Sequence, residues 1–384
     1  MKSFLKMELD KIKAKGLYRQ MKILASAPDK EIIFEGKSYI NFSSNNYLGF
    51  SCRPELKQAA INAVKKYGCG GTSSRLICGT FHIHAELEEK LAKLKSKEKA
   101  IVFPSGFAAN IGVVSSIVGK GDAVIMDKLN HASLWDGASL SGARLFVYEH
   151  KDMQSLEKVL KRAHSYKKRL IITDTLFSMD GDIAPLKDIT DLAKKYCSWT
   201  MIDEAHATGI FGKNGSGIAE SFNVEKDIDI VMGTLSKAIG SQGGFICGDN
   251  ELIDYLINKS RAFIYTTALS PACAGASIKA LEVIEKEPKL RIKLLENSKY
   301  LRDKLKLSGF DTLGSESQII PVLTGDAART MDVSAQLMSR GIFAPAIRPP
   351  TVAEGMCRIR ISLTSLHRRE EIDKLIEAFQ NLKS

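Results

Sequence analysis

Apolar residues recur along the chain with two periods, one suited to helices and one to strands, and together they divide it into elements. Near the start, Leu5, Leu9 and Ile12 recur at helical spacing with charges between them. This predicts an amphipathic helix over residues 4–23, with Arg19 near its end. Residues 31–34 and 38–42 read as a hairpin turned at Gly36 and Lys37, and residues 43–49 as a polar loop. Helices follow over residues 54–66, opened by Pro54 and ended at Gly68, and over residues 85–94.

From residue 100 the pattern changes to short apolar runs alternating with helical stretches. Strands are expected at residues 100–103, 123–127, 144–148, 170–173 and 199–203. Helices are expected at residues 108–118, 153–163 and 186–196. A further β-branched run containing Ile228, Ile230 and Val231 leads to Lys237, and residues 245–247 read as one more strand, placed at the sheet edge. A helix over residues 271–287 then leads into charged helices and short strands at residues 319–323 and 358–363, and the chain closes on a helix over residues 370–382. Strands alternating with helices imply a doubly wound, mainly parallel α/β sheet whose chemistry gathers at the carboxyl ends of the strands. Gly106, His131, Ser178, Asp203 and Lys237 all follow apolar runs. The expected organisation is an N-terminal segment (1–45), a large domain (46–280) and a smaller α/β C-terminal domain (281–384).

Lys237 ends a strand, is preceded by Thr234, Leu235 and Ser236, and is followed by Gly240, Gly243 and Gly244. Many lysines near glycine turns are solvated surface groups. An amine that condenses with an aldehyde needs a pKa well below about 10.4, through desolvation or a neighbouring cation. Upstream, the run Trp199–Asp203 ends in an acid, with His206 three residues on. A carboxylate at the end of a buried strand needs a cationic or proton-donating partner, and a protonated pyridine nitrogen is one. Strand-Asp-x-x-His followed by strand-Thr-x-x-Lys is the pairing that pyridoxal 5′-phosphate requires. Asp203 holds the pyridinium, Lys237 forms the Schiff base and His206 reaches the phenolic oxygen. The strand, glycine turn and helix start at Ser105, Gly106 and Phe107 expose N–H groups that favour a phosphate.

These motifs, with Phe103 to Asn110, Leu129 to Ser133 and Phe177 to Asp182, resemble the α-oxoamine synthase family of fold-type I pyridoxal-phosphate enzymes. The resemblance runs from about Asn41 to the C-terminus. It implies a seven-stranded, mainly parallel sheet in the large domain, and a homodimer in which the loop carrying Thr267 reaches the neighbouring subunit's cofactor phosphate. It further implies that His131 stacks on the pyridine ring and that Ser178 and Thr234 bond the ring and phosphate. Arg360, with Asn45, is implied to hold an amino acid carboxylate. In the family Lys237 releases its bond to an incoming amino acid, removes the Cα proton, and the product of attack on a thioester loses carbon dioxide.

Members differ in the acyl pocket. The stretch Ile347, Arg348, Pro349, Pro350, Thr351 and Val352 resembles members that join L-alanine to a pimeloyl thioester in biotin synthesis. Arg19, Arg348 and Thr351 are then candidates for the distal carboxylate of the acyl chain. Gly71 to Arg75 with Cys78, Gly79 and Thr80 also resembles the glycine acetyl-transferring member, and glycine with acetyl-CoA is the alternative. The sequence leaves coenzyme A and an acyl-carrier protein open as the thiol.

Composition narrows these readings without changing them. Hydrophobic residues at 44% and charged residues at 26% are ordinary for a globular enzyme. The formal charge of +11 comes from dispersed lysines and arginines, with no nucleic-acid-binding signature beside them. A non-catalytic basic binding protein is the alternative from another class, but it gives no reason for a lysine, an aspartate and two histidines at matching strand ends. The seven cysteines are odd in number and form no C-x-x-C pair, which argues against a disulfide framework or a zinc site. No run of about 18 apolar residues occurs, and a cytoplasmic location without membrane attachment is expected.

Overall fold

The structure is a computed structural model and describes residues 1–382. Two compact units share the chain: one comprises Leu48–Ser178 and Ile183–Ile292, the other Met1–Tyr47, Met179–Asp182 and the residues from Lys293 onward. In chain order the strands are β1 (Glu31–Phe34), β2 (Lys37–Asn41), β3 (Lys99–Phe103), β4 (Ala123–Asp127), β5 (Arg144–Tyr148), β6 (Arg169–Asp174), β7 (Trp199–Asp203), β8 (Ile230–Thr234), β9 (Gly244–Gly248), β10 (Ile319–Gly325), β11 (Ile342–Phe343), β12 (Ala346–Ile347) and β13 (Cys357–Ser362).

The larger unit is built on the expected seven-stranded sheet, in the order β3-β9-β8-β7-β6-β4-β5. Neighbours from β5 through β8 pair in parallel, and β9 is antiparallel to both β3 and β8. Parallel strands covered by helices on both faces need apolar side chains at nearly every position. Accordingly every residue of β4 and β8 is buried. The strand at residues 244–248 is not an edge. It lies between β3 and β8 and is buried throughout, because a run of Gly, Phe, Ile, Cys and Gly has no charge with which to face water.

A helix over Ala132–Ser141, absent from the sequence expectations, joins β4 to β5. It lacks an apolar stripe because it packs through small residues. A Cβ on Gly137 would meet Val114 Cβ at 3.1 Å and the Asn110 carbonyl at 3.2 Å, so the helix Gly106–Ile117 approaches it backbone to side chain.

In the smaller unit the hairpin β1–β2 turns through Glu35 and Gly36, both at positive φ, and β11 joins β2 in parallel. β10, β13 and β12 form a second, antiparallel sheet, and a helix over Arg369–Gln380 follows. The N-terminal helix covers Lys2–Ala14 rather than extending to residue 23. Gly16 at φ +64° stops it: its N–H donates to Lys13 O, and that of Leu17 to Ile12 O, the paired bonds that close a helix at a left-handed glycine. Among the described residues no helix is long and apolar enough to cross a membrane.

Candidate active site

Where β6, β7 and β8 end, the larger unit encloses a cavity of about 210 Å³. Each strand delivers a polar side chain to it: Asp174, Asp203 and Thr234. Asp174 and Asp203 stand opposite each other in the β6–β7 register, so two carboxylates share one wall. Burial, and after it the nearby Asp203, raises the Asp174 carboxyl well above the ordinary range, while Lys237 opposes this. Its Oδ2 accepts the backbone N–H of His131 at 3.2 Å and its Oδ1 has no partner.

Lys237 enters the cavity from the turn after β8. Leu235 N–H donates to Gly243 O, Ser241 N–H to Leu235 O and Gly240 N–H to Lys237 O, which fold the chain back sharply beneath the lysine. Thr234 Oγ1 donates to Gly243 O at 2.8 Å and lies 2.8 Å from Ser236 Oγ. Asp203 is held from both sides. Ala205 N–H donates to its Oδ1 at 2.8 Å, and Asn110 Nδ2 donates to its Oδ2 at 2.8 Å. His206, buried, and Ser178 line the same cavity.

His131, which also lines the cavity, caps the helix Ala132–Ser141, accepting the Ser133 N–H on Nδ1. Partial burial pushes its imidazole below the ordinary value, Asp203 pulls it up and Lys237 pushes it down. Gly106 and Phe107 also line the cavity, at the start of the helix Gly106–Ile117, whose N-cap Ser105 accepts the Ala108 N–H at 3.1 Å. A Cβ on Gly244 would lie 2.6 Å from Gly106 Cα, so the two glycines let β9 press against the helix start.

The donor set fits pyridoxal 5′-phosphate: an amine for the aldehyde, a carboxylate for the ring nitrogen, a planar imidazole, and a helix N-terminus for the phosphate. A carboxylate oxygen without a partner in the same cavity marks a site arranged for a ligand rather than for its own stability. Of the residues singled out from the sequence for the cofactor, Gly106, Phe107, His131, Ser178, Asp203, His206, Thr234 and Lys237 meet here. Thr267 does not line this cavity. It is exposed, on a segment bridged to Ser74.

Several lining residues carried no role in the sequence reading, among them Asn110, Asp174 and Ser133. Asn110 stands one helical turn beyond Gly106, on the same face, a spacing that could have revealed it. Asp174 ends an apolar strand as Asp203 does, and the argument made for one applied to the other. Ser133 gave no signal beyond its nearness to His131.

In the smaller unit the buried Arg360 reaches Asn45 Oδ1 at 3.3 and 3.4 Å, Tyr47 Oη at 3.4 Å and Ser362 Oγ at 2.6 Å. Arg19 Nη2 donates to Thr351 Oγ1 at 3.2 Å and to Pro349 O at 3.3 Å. Arg348 donates to the carbonyls of Gly16 and Tyr18. The three acyl-pocket candidates therefore meet, with the Arg348 guanidinium binding backbone. The buried Arg358, to which the sequence reading gave no role, pairs with the half-buried Asp180 at 2.7 Å.

Comparison with known proteins agrees with this geometry. The aminotransferase class I and II family matches residues 37–379. An 8-amino-7-oxononanoate synthase from Thermoanaerobacter pseudethanolicus is 46% identical over 99% of this chain and 96% of its own. A solved SPT structure with PLP as its internal aldimine superposes with a TM-score of 0.93 at 31% identity, over 98% of this chain and 96% of that one. A solved 8-amino-7-oxononanoate synthase from Francisella tularensis gives 0.78 at 30% identity, over 90% and 98%. The chain belongs to the aminotransferase class I and II family and, within it, to the pyridoxal-phosphate-dependent α-oxoamine synthases that include the 8-amino-7-oxononanoate synthases.

Proposed function

We propose that the chain catalyses the decarboxylative condensation of L-alanine with a pimeloyl thioester, giving 8-amino-7-oxononanoate, carbon dioxide and free thiol in biotin biosynthesis. The observation that carries the reading is the convergence of Lys237 and Asp203 on one cavity in a chain related to 8-amino-7-oxononanoate synthases over nearly its whole length. When bound, pyridoxal 5′-phosphate supplies an aldehyde for the amine and an electron sink for the bonds broken at Cα. Asp203 would hold the ring nitrogen, and its two N–H donors fix the direction of its oxygens.

Lys237 anchors the cofactor and moves the proton at the alanine Cα, as a general base with its own amine. His131 would stack on the ring and limit its tilt, while His206 would reach the phenolic oxygen and Ser178 would bond the ring. The helix start at Gly106 and Phe107, with Thr234, holds the phosphate. Arg360 takes the alanine carboxylate through its guanidinium fork, with Asn45 orienting it. Arg19, Arg348 and Thr351 are assigned to the far carboxylate of the acyl chain. Arg19 and Thr351 are hydrogen-bonded to each other, and both arginines also donate to backbone carbonyls, Arg19 to Pro349 and Arg348 to Gly16 and Tyr18.

The working form is a homodimer with shared sites. Ile77 and Tyr265 are 79% and 71% exposed, on the two segments that the Ser74–Thr267 bridge ties together, an apolar surface suited to a second copy. Sedimentation at twice the chain mass is the expected result, and a monomer at micromolar concentration would remove this part of the proposal.

The deciding experiment measures thiol release with alanine or glycine against pimeloyl and acetyl thioesters. Alanine with the pimeloyl thioester should give the highest kcat/KM. Preference for glycine and the acetyl thioester would instead make the chain a glycine acetyltransferase. Pimeloyl-coenzyme A and the pimeloyl-carrier-protein thioester, run side by side, identify the carrier.

A further inference from the structure

Four side chains beside the cavity form one line of hydrogen bonds. Asn110 Nδ2 donates to Asp203 Oδ2 at 2.8 Å and to Ser133 Oγ at 2.9 Å, and Ser133 Oγ lies 2.8 Å from His131 Nδ1. The two middle members are sealed from water, Asn110 at 1% exposure and Ser133 at 0%. They come from different helices, brought together where Gly137 allows the close approach described above.

The direction of every proton along this line follows from its ends. A carboxylate oxygen accepts and does not donate, so the Asn110 amide must turn its NH2 toward Asp203; the reverse flip would set two oxygens against each other. The second hydrogen of that NH2 goes to Ser133 Oγ. Oγ keeps its own proton to give, and it goes to His131 Nδ1, which a backbone donor already marks as an acceptor. The Ser133 backbone N–H also donates to Nδ1, at 3.3 Å. Two donors converging on one ring nitrogen make it an acceptor, and a neutral imidazole then carries its hydrogen on Nε2. The Asn110 Oδ1 is buried without a partner, so the amide is oriented by the two acceptors its NH2 reaches, Asp203 and Ser133, and not by its own oxygen.

We propose that Asn110 and Ser133 are positioning residues that hold His131 as its Nε2–H tautomer and tie it to the Asp203 carboxylate. The pair that faces the cofactor, imidazole on one side and carboxylate on the other, is thereby set as a unit. This rests on the roles proposed for Asp203 and His131, but its first test needs neither cofactor nor turnover.

In cofactor-free protein carrying 15N-labelled histidine, with the His131 signals identified by their loss in His131→Gln, the nitrogen shifts should report hydrogen on Nε2. Ser133→Ala, which leaves only the longer backbone N–H at 3.3 Å on Nδ1, should weaken that preference, and Ser133→Thr, which keeps the hydroxyl, should restore it. Hydrogen on Nδ1 in the unaltered chain, or a Ser133→Ala spectrum unchanged at His131, overturns the proposal. Asn110→Ala should leave His131 in the Nε2–H form, because Ser133 still donates. It should weaken pyridoxal-phosphate binding about ten- to a hundredfold, the usual cost of losing a hydrogen bond to a charged group. Unchanged cofactor affinity in Asn110→Ala would remove the link to Asp203. A chain that fails the thiol-release assay but passes the nitrogen measurement would separate an error in the reaction from an error in the relay.

Discussion

Asp203 and Glu204 are adjacent in the chain and enter opposite surroundings. Glu204 lies in a sealed pocket where its Oε2 accepts Lys95 Nζ at 2.6 Å and its Oε1 accepts the Ala219 N–H at 2.9 Å. Lys95 donates further to Thr208 Oγ1 at 2.9 Å and to Ser216 O, and both charged side chains are 1% exposed. Every donor there has an acceptor. Asp203, one residue earlier, faces a cavity in which Asp174 has an oxygen without a partner and in which two carboxylates outnumber the one lysine. The sealed side is organised for stability and fixes the turn that carries Asp203 and His206. The cavity side leaves polar atoms unmatched until a ligand supplies their partners, and such violations of packing rules collect at functional sites.

The contrast is broken most sharply by changing the charged amine on each side. On the cavity side, Lys237→Ala should lower alanine-dependent thiol release by at least about a thousandfold, since anchor and general base go together. The urea midpoint of the same variant should move less than that of Lys95→Met, because Lys237 is only half-buried and Asp203 keeps both its N–H donors. Condensation near the rate of the unaltered chain would refute its role.

On the sealed side, Lys95→Met should cost about 3–5 kcal/mol of folding stability by leaving a buried carboxylate unpaired. Adding Glu204→Gln should recover more than half of that loss in urea titrations, because the uncompensated charge disappears with it. If the two losses simply add, the pair is not coupled and the distinction drawn between the two sides fails.

How far this contrast could be read in advance depends on how each residue is recruited. Asp203, His206 and Lys237 were legible because local sequence puts them at strand ends, and strand ends of a parallel sheet converge. The buried β9 was not, because spatial order in a sheet is not sequence order: its uncharged run was the available clue and was outweighed by its late position. The helix at Ala132–Ser141 escaped because it packs through Gly137 and small neighbours instead of an apolar stripe. Asn110 and Ser133 depend on that helix contact, and they stayed silent with it. Lys95 reads as one more basic residue at the end of a charged helix, and only the fold shows that its amine is sealed against Glu204.

The finest version of the comparison removes one carboxylate charge from each side. Asp174 has its carboxyl raised well above the ordinary value, chiefly by burial and then by Asp203. Between its unfolded and folded values the native chain therefore holds a proton that the unfolded chain releases, and stability falls as pH rises through the folded value. Asp174→Asn keeps an oxygen for the His131 N–H and takes away the charge. In cofactor-free protein it should raise stability by about 1 kcal/mol near pH 8, within the usual range for relieving a poorly matched buried group. The gain should shrink as pH falls toward the acid range, where Asp174 is already protonated. Glu204→Gln alone should do the opposite at neutral pH, leaving Lys95 buried without its counter-charge and lowering stability. Urea titrations of both variants at two pH values read the signs directly. The same sign for both would mean that the two faces of this strand end are electrostatically alike, and that the unmatched oxygen of Asp174 is no mark of a binding site.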